Sequence, residues 1–383
     1  MARLGDICTV VSGSTPKSNI PEYWDGDIKW ITPAELTEQS YIITDSARHI
    51  TELGVQKTGL KPFPAGTVIL SSRAPIGKTA IAGCEMFCNQ GFKNLICSDQ
   101  VNNRYLYWFL TCNTDYLNSL GRGATFKEIS KGIVEDIEIP LPSISKQVEI
   151  AEKFEKVSDL IALRKEQLAK LDQVVKSRFI ELFGDPETNP MGWQTEELEK
   201  HLSVVGGYAF KSDGFLDSGI PVLRIGNINS GHFLPVNMVF WADDILLSRY
   251  KMYPGDLVMS LTGTVGKDDY GNVCILGNDY AEYYLNQRNA KLDIRPTMNK
   301  HYLAEMLKFS AIKKRLTGIS RGVRQANISN KDILSLCVQI PPVGLQEQFA
   351  TCVEQIDKSK LAIQQSLDKL ELLKKSLTQE YFG

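Results

Sequence analysis

The chain has 383 residues, of which 43% are hydrophobic and 23% are charged, as in an ordinary globular protein. Its 43 Lys and Arg against 45 Asp and Glu give a formal net charge of −2. That balance excludes a uniformly basic surface for nucleic acid, although it leaves room for local basic patches. The length predicts two or three domains.

The eight cysteines show no C-x-x-C spacing, and there are only four histidines. This pattern is typical of reduced core cysteines in a cytosolic protein, so we expect a cytoplasmic location and no metal site. No apolar run approaches the length of a membrane span, and the N-terminus lacks a basic segment followed by an apolar one. We therefore expect neither a membrane helix nor a signal peptide.

The first globular segment is predicted to span residues 1–145. An apolar run of buried-strand type covers residues 67–71, and a loop at 72–78 leads into a returning strand. A helix is predicted over residues 103–120, where Gly121-Arg122-Gly123 stops it. A last strand ends at the prolines that precede a long helix.

That long helix occupies residues 146–184, with apolar residues at alternating steps of four and three. Arg164 and Arg178 occupy the positions that the pattern skips. Such a heptad pattern predicts a coiled-coil seam. The seam consists of Ile150, Phe154, Val157, Ile161, Leu168, Leu171 and Val175.

A second globular segment, residues 185–344, begins with a Gly- and Pro-rich linker at 185–193 and repeats the motif order of the first. Asn286-Gln287 repeats Asn89-Gln90, and a matching helix is predicted over residues 300–316. A second helix at 345–383 then repeats the first helix at a constant offset of 199, without a gap. Its seam consists of Phe349, Val353, Ile356, Ile363, Leu367, Leu370 and Leu377. The helices resemble each other more than the globular segments do, which indicates a shared frame with diverged surfaces.

These patterns predict an α+β or α/β fold with two pseudo-symmetric globular domains separated by two long helices. Each helix has an apolar seam that requires a partner, and the nearest partner is its own copy. A pseudo-two-fold relation between the copies makes the expected pairing an antiparallel coiled coil. Two equivalent surfaces of this kind suit duplex DNA that is read at two half-sites.

Signatures of catalysis are weak. Residues 72–79 nearly match a P-loop, but Ser72 stands where glycine is required and Ala74-Pro75 would obstruct the phosphates. Residues 27–29 could form half of a D-x-K nuclease site, yet no matching acid precedes them. There is no dinucleotide fingerprint and no nucleophile–His–Asp pattern, so we expect that the chain is not an enzyme.

Four segments, in an order that largely repeats, resemble the specificity subunit (HsdS) of type I restriction-modification systems. They are Gly-Thr-Val-Ile-Leu-Ser at 66–71, Ile-Pro-Leu-Pro before Gln147, the Leu-Phe-Gly-Asp-Pro segment with Asn-Pro-Met-Gly-Trp at 182–193, and Leu-Arg-Ile-Gly-Asn-Ile at 223–228. The resemblance implies that each globular segment is a target recognition domain that reads one half of a bipartite, asymmetric DNA sequence. It also implies that the helices form a spacer on which two methyltransferase subunits dock.

The same resemblance implies that cofactors belong to the partners. The methyltransferase subunits would methylate adenine with S-adenosylmethionine, and restriction subunits would join them for ATP- and Mg-dependent cleavage. This chain would need no cofactor.

Two loop classes recur in both globular segments and are the main candidates for DNA contact. The first class is 73–78 with its copy 262–267, and the second class is 121–127 with its copy 320–327. Their glycines allow close backbone approach, Arg and Lys reach phosphates or guanine, and Gln or Asn suits adenine. The alternative for each loop is a solvated turn, and Arg224 is either a base reader or an internal salt-bridge partner. The candidate DNA-binding residues are Arg73, Lys78, Arg122, Thr125, Lys127, Arg224, Thr264, Lys267, Arg321, Arg324, Gln325 and Asn327.

The favoured hypothesis is a DNA-recognition subunit, and two rival hypotheses stand beside it. One is a binding scaffold with two domains on a coiled-coil rod and no DNA specificity; the other is an enzyme with an unrecognised site. A steep loss of DNA affinity with salt distinguishes a DNA-binding subunit from a scaffold. The target sequence cannot be read from the chain, because loop conformation decides which base edges are reached.

Overall fold

A computed structural model of the chain describes residues 1–37, 40–73, 75–123, 127–229, 231–267, 269–318 and 325–383. The chain divides into two compact units. Unit 1 contains Met1–Lys165 and Gln365–Gly383, and unit 2 contains Glu166–Gln364. Both long helices cross this division, so each unit includes one part of each helix.

The two long helices are α6 (Ile144–Phe183) and α10 (Val343–Phe382). The shorter helices are α1 (Leu4–Ile7), α2 (Glu52–Thr58), α3 (Asn103–Cys112), α4 (Thr114–Leu120), α5 (Lys131–Glu135), α7 (Lys300–Lys308), α8 (Ser310–Thr317) and α9 (Asn330–Leu334). Short 3-10 helices lie at Pro21–Tyr23, Pro33–Glu35, Leu198–Lys200, Ser212–Gly214, Ile225–Asn227 and Ile245–Tyr250.

Unit 1 is built on a five-stranded sheet with the strand order β2-β9-β6-β7-β4. A second sheet has the order β5-β3-β8, and β1 pairs with β10. The strands are β1 (Ala2–Arg3), β2 (Cys8–Ser12), β3 (Trp24–Ile31), β4 (Ile42–Ile43), β5 (His49–Ile50), β6 (Val68–Leu70), β7 (Thr79–Ala82), β8 (Phe87–Cys88), β9 (Lys93–Cys97) and β10 (Glu138–Ile139).

Unit 2 repeats this topology. Its strands are β11 (Thr195–Glu197), β12 (Leu202–Gly206), β13 (Ile220–Leu223), β14 (Phe240–Trp241), β15 (Lys251–Met252), β16 (Leu257–Ser260), β17 (Thr262–Thr264), β18 (Val273–Ile275), β19 (Tyr283–Leu285), β20 (Asn289–Ile294), β21 (Gln325–Asn327) and β22 (Cys337–Gln339). The order β12-β20-β16-β18 corresponds to β2-β9-β6-β7, and the parallel pair β13–β19 corresponds to β3–β8. The two units therefore share one architecture.

In unit 1 the first part of α6 packs antiparallel on the last part of α10. Lys153 Nζ donates to Tyr381 OH at 3.1 Å, and farther along α6 Arg164 Nε donates to Ser366 Oγ at 3.2 Å. The partner number falls as the α6 number rises, which defines the antiparallel direction. The Phe154 ring stacks on Phe382 at a centroid distance of 5.3 Å and joins the helix pair to the core of the unit.

In unit 2 the remaining parts of the two helices are also antiparallel. Lys360 Nζ lies 2.6 Å from Asp172 Oδ1, and the Phe179 ring meets Phe349 edge-on at 5.5 Å. Phe179 and Phe349 are fully buried in the core of this unit. The predicted fold class, α+β units with long helices packed antiparallel, is confirmed.

The burial of the seam varies along each helix. Seam residues that reach the core of a unit are buried, and they include Ile150, Phe154, Val175, Phe349 and Val353. Midway along the helices, the seam residues are half-buried, as at Ile161, Leu168, Leu171, Ile356, Ile363 and Leu370. Two helices alone cover only one side of each seam side chain, so water reaches the other side.

A buried glutamine joins each long helix to its unit. Gln147 Oε1 accepts the N–H of Asn102 at 2.8 Å, and its Nε2 donates to the carbonyl of Pro142 at 2.8 Å. Gln346, at the same place in α10, accepts the N–H of Asn299 at 2.8 Å and donates to Pro341. This explains why the two glutamines are identical at the 199-residue offset.

The sequence predicts one continuous helix in each unit, over residues 103–120 and 300–316. In the structure each of them is broken into two helices. In unit 1, Asn113 separates α3 from α4, and in unit 2, Phe309 separates α7 from α8. Phe309 leaves the helical backbone conformation, and its ring packs on Phe179 at 5.0 Å. Packing against the long helix therefore overrides the local helical preference.

Candidate nucleic-acid interface

The two loop classes singled out in the sequence lie side by side in unit 1. The first class joins the antiparallel strands β6 and β7, and its Arg73 forms an antiparallel bridge with Glu128, which directly follows the second class. The Ile129 N–H also donates to the carbonyl of Ser72 at 3.0 Å. Backbone hydrogen bonds thus fix the two loops to one another.

The same pairing recurs in unit 2 and is longer. The short strand β17 pairs with β21, so that Thr262 faces Asn327 and Thr264 faces Gln325. The Ile328 N–H donates to the carbonyl of Leu261 at 2.8 Å, as Ile129 does to Ser72 in unit 1. The loop pair is therefore a property of the architecture, while its side chains differ between the units.

Glu128 connects two cations in unit 1. Its carboxylate lies 3.4 Å from Arg73 Nη1 and 3.3 Å from Lys93 Nζ, and Lys93 also donates to Ser72 Oγ at 3.3 Å. The Lys93 side chain is only 9% exposed, whereas Arg73 is 36% exposed. The Arg73 side chain can therefore reach an incoming ligand. Glu128, which is itself paired with Lys93, holds the Arg73 side chain in place.

The other candidates of unit 1 differ in accessibility. Lys78 is half-buried, and its Nζ donates to the carbonyl of Pro33 at 3.2 Å, which ties it to the 3-10 turn at Pro33–Glu35. Arg122 and Lys127 are exposed. Gly77 has φ +94°, a conformation that favours glycine and turns the loop. Thr125 lies outside the described residues.

In unit 2, the Arg224 side chain is hydrogen-bonded to the backbone, and it forms no salt bridge among the described residues. Its guanidinium donates to the carbonyl of Asn237, and its backbone begins the 3-10 turn at Ile225–Asn227. This contact leaves Arg224 half-buried on the wall of a cleft. From the sequence, Arg224 was expected to be either a base reader or a salt-bridge partner, and the contact with a backbone carbonyl was not predicted.

The remaining candidates of unit 2 lie on or beside the β17–β21 ladder. Thr264, Lys267 and Asn327 are exposed, and the Thr264 N–H donates to Asp269 Oδ1 at 2.8 Å. That hydrogen bond lowers the pKa of the Asp269 carboxyl, so the group is ionised at neutral pH. Gln325 is placed only by its backbone, in β21. Arg321 and Arg324 lie outside the described residues.

Two clefts in unit 2 combine the predicted candidates Arg224 and Thr264 with polar residues that the sequence had not indicated. The first has a volume of about 450 Å³ and is lined by Arg224, Asn227 and Gln287; the second, of about 420 Å³, is lined by Thr264 and Asp269. Arg288 lines both. The repeat could have indicated Arg288 as a candidate, because it directly follows the Asn286-Gln287 pair that matches Asn89-Gln90.

The described residues contain no cluster of His, Cys, Asp or Glu that could hold a metal ion. All eight cysteines are free thiols. Across the described part of the chain, no helix is long and apolar enough to cross a membrane.

Comparison with known proteins identifies relatives over almost the whole chain. Residues 1–173 and 190–373 match the model of the type I restriction modification DNA specificity domain. The chain is 29% identical over 398 residues to the MjaIX specificity subunit of a type I restriction enzyme from Methanocaldococcus jannaschii, covering 98% of this chain and 90% of that one. It is 27% identical over 258 residues to the EcoKI specificity subunit from Escherichia coli K12, covering 63% and 55%.

A solved structure shares the fold. The crystal structure of the type I restriction-modification S subunit from M. genitalium aligns with a TM-score of 0.60 and 16% identity, over 100% of this chain and 95% of that one. The family match covers both globular segments and most of both long helices. The chain therefore belongs to the type I restriction-modification DNA specificity family.

Proposed function

We propose that this chain is the non-catalytic DNA-recognition subunit of a type I restriction-modification enzyme. It binds double-stranded DNA at a bipartite, asymmetric target and directs adenine methylation and ATP-dependent restriction by partner subunits. Residues 1–145 and 185–344 act as the two target recognition domains, and residues 146–184 and 345–383 act as spacer helices.

The observation that carries this proposal is the loop pairing that recurs with different side chains. Arg73 and Glu128 face each other in unit 1, whereas Thr262 and Asn327 do so in unit 2. A fixed backbone with exchangeable side chains is what two readers of different sequences require, because phosphate contacts position a protein and side chains at base edges specify the sequence.

The residues proposed to contact DNA follow from this placement. Exposed cations around the loop pairs, such as Arg122, Lys127 and Lys267, are suited to phosphates, and polar side chains on the ladders are suited to base edges. The full proposed set is Arg73, Lys78, Arg122, Thr125 and Lys127 in the first domain, and Arg224, Thr264, Lys267, Arg321, Arg324, Gln325 and Asn327 in the second.

Two methyltransferase subunits are proposed to dock on the long helices. Val174 on α6 is 50% exposed, and Leu373 on α10 is 45% exposed, although both are apolar. They are related by the 199-residue offset of the repeat, and they belong to different units. Two equivalent apolar positions support two equivalent docking sites. The methyltransferase subunits would carry S-adenosylmethionine, and restriction subunits would carry ATP and Mg in the cytoplasm.

Purification of the tagged full chain, co-expressed with a methyltransferase subunit of a type I restriction-modification system, tests the assembly. We expect a stable complex that binds duplex DNA, and whose log affinity falls linearly with log salt concentration because phosphate contacts release counterions. Methylome sequencing of cells that express the complex should reveal one bipartite motif. Binding that is independent of salt, or methylation without a bipartite motif, would contradict the proposal and favour a scaffold.

An exchange of domains tests whether each domain reads its own half-site. Replacing residues 1–145 with the matching segment of a related subunit should change one half-site and leave the other intact. The matched exchange of residues 185–344 should change the other half. If either exchange altered both half-sites together, the model of two independent readers would be wrong.

A further inference from the structure

Arg288 has an unusual position in unit 2, since it lines both clefts described above. It directly precedes Asn289, the first residue of β20. Its backbone carbonyl accepts the N–H of Leu261 at 2.8 Å, which fixes the main chain of Arg288 beside the start of β17. The backbone is therefore held by the same loop that carries the candidate DNA contacts.

The Arg288 side chain is available for a ligand. It is exposed, and among the described residues its guanidinium forms no ion pair. By contrast, Arg224, which also lines the first cleft, is engaged with the carbonyl of Asn237. A guanidinium in this state presents a planar fork of donors that suits a bidentate acceptor.

Asp269 supplies the complementary group in the second cleft. One carboxylate oxygen accepts the Thr264 N–H at 2.8 Å, which orients the side chain. The same hydrogen bond holds the pKa of this carboxyl below its ordinary range. The negative charge of Asp269 repels a phosphate. The cleft therefore favours a ligand with acceptors for Arg288 and a hydrogen-bond donor for Asp269.

Two further polar residues, Asn229 and Thr262, line this cleft. Asn229 Oδ1 and Thr262 Oγ1 are buried, and neither has a hydrogen-bond partner among the described residues. An unsatisfied buried polar atom is costly, which indicates that a bound molecule or water completes these hydrogen bonds. The second cleft is thus prepared for a polar ligand.

The equivalent position of unit 1 is a glycine. The Gly91 carbonyl accepts the N–H of Ser72 at 2.7 Å, which repeats the bond from Leu261 to Arg288. A Cβ atom at Gly91 would lie 2.9 Å from Pro33 Cγ, so unit 1 has no room for a side chain there. Any ligand contact made by Arg288 is therefore specific to unit 2.

We propose that Arg288 and Asp269 together read one G·C base pair from the major groove in the half-site of the second domain. The Arg288 fork donates to guanine O6 and N7, and the free oxygen of the Asp269 carboxylate accepts from the cytosine N4 amino group. This inference rests on the proposed function. It goes further by assigning one base pair of the target to two named residues.

The test measures methylation motifs and duplex affinities of the full chain assembled with its methyltransferase subunits. For Arg288→Ala, we expect discrimination at one G·C position of the second half-site to fall by about 5- to 150-fold, with the first half-site unchanged. Arg288→Lys keeps the charge but not the fork, so it should keep overall affinity and lose the same discrimination. Asp269→Asn should weaken the preference at the same position.

Arg295→Ala is the matched control. Arg295 is exposed and follows β20, so it lies about 23 Å along the strand from Arg288. This control should leave the motif unchanged.

The outcomes separate the inference from the proposed function. If Arg288→Ala weakens all duplexes equally while Arg288→Lys restores binding, Arg288 contacts a phosphate and the inference is overturned. An unchanged motif and affinity in Arg288→Ala would overturn it as well, with the DNA-recognition function intact. If the unmodified complex selects no sequence at all, the proposed function itself fails. Thermal unfolding of each variant confirms that it is folded before its motif is compared.

Discussion

Arg73 and Glu128 face each other across an antiparallel bridge in unit 1, and their side chains also form an ion pair at 3.4 Å. The residues are 55 positions apart in the sequence. The backbone of unit 2 brings Thr262 and Asn327 together in the same way without any charge. One framework therefore supports an ionic loop pair in one unit and a neutral loop pair in the other.

The Glu128 carboxylate gives the first prediction. Glu128→Gln removes the charge and leaves the Lys93 ammonium, whose side chain is 9% exposed, without its ion-pair partner. Breaking a fully buried pair costs about 3–5 kcal/mol. Since Glu128 is 35% exposed, we expect a loss of about 1–2 kcal/mol in the free energy of unfolding, measured by urea denaturation.

The double variant Glu128→Gln/Lys93→Met is the control for that measurement. It removes both charges, so part of the lost stability should return. A double variant that is no more stable than Glu128→Gln would show that the uncompensated Lys93 charge is not the cause.

Gln346 gives the second prediction, because its amide is buried and bonded to backbone groups. Gln346→Ala leaves the Asn299 N–H and the Pro341 carbonyl without partners. We expect a loss of about 2–4 kcal/mol in the free energy of unfolding, since each unsatisfied buried group costs about 1–3 kcal/mol. Gln348→Ala, exposed on the same helix, should change stability by less than about 0.5 kcal/mol. If Gln346→Ala and Gln348→Ala lowered the stability equally, Gln346 would not be what joins the long helix to its unit.

A third prediction concerns pH and His301, which lies 3.4 Å from Glu354 of α10. Burial lowers the pKa of the His301 imidazole, and neighbouring Lys300 acts in the same direction. The acidic residues that oppose this shift, Glu354, Asp357 and Glu305, do not overcome it. The Glu354 side chain is 58% exposed, so water screens its attraction.

The sign of the stability change follows from that shift. The folded pKa lies below the unfolded value of about 6.5, so the unfolded chain binds more protons in acid. Stability is therefore complete above the unfolded pKa and declines as pH falls through the folded pKa. His301→Gln should lose less stability than the unmodified chain between about pH 7 and about pH 5.5, measured by urea midpoints. Equal losses in both proteins would contradict this assignment.

The exposed apolar positions of the helices give a fourth prediction. Val174→Glu and Leu373→Glu place a charge on surfaces proposed to dock methyltransferase subunits. Each single variant should bind one methyltransferase copy, and the double variant none, as native mass spectrometry can count. Gln173→Glu adds the same charge at the exposed position next to Val174 and should still bind two. Two copies bound to the double variant would place the docking surface elsewhere.

Two helices of the structure depart from the sequence prediction, whereas the two long helices follow it. Heptad spacing predicts one apolar seam on each long helix, because a helix fixes which residues share a face within a few positions. The same local reasoning made residues 103–120 and 300–316 continuous helices. Asn113 and Phe309 interrupt them, and at Phe309 the interruption comes with packing against α6.

The sequence by itself determined the repeat, the long helices and the two loop classes, because these depend on spacing within one element or on a copy at constant offset. Only the tertiary structure decided that the loops pair through Arg73 and Glu128, that Lys93 supports them from within, and that Arg288 opens onto two clefts where unit 1 has Gly91. Those relationships join residues that are distant in sequence, and they depend on strand register and on the packing of whole sheets. No local pattern of residues specifies that register.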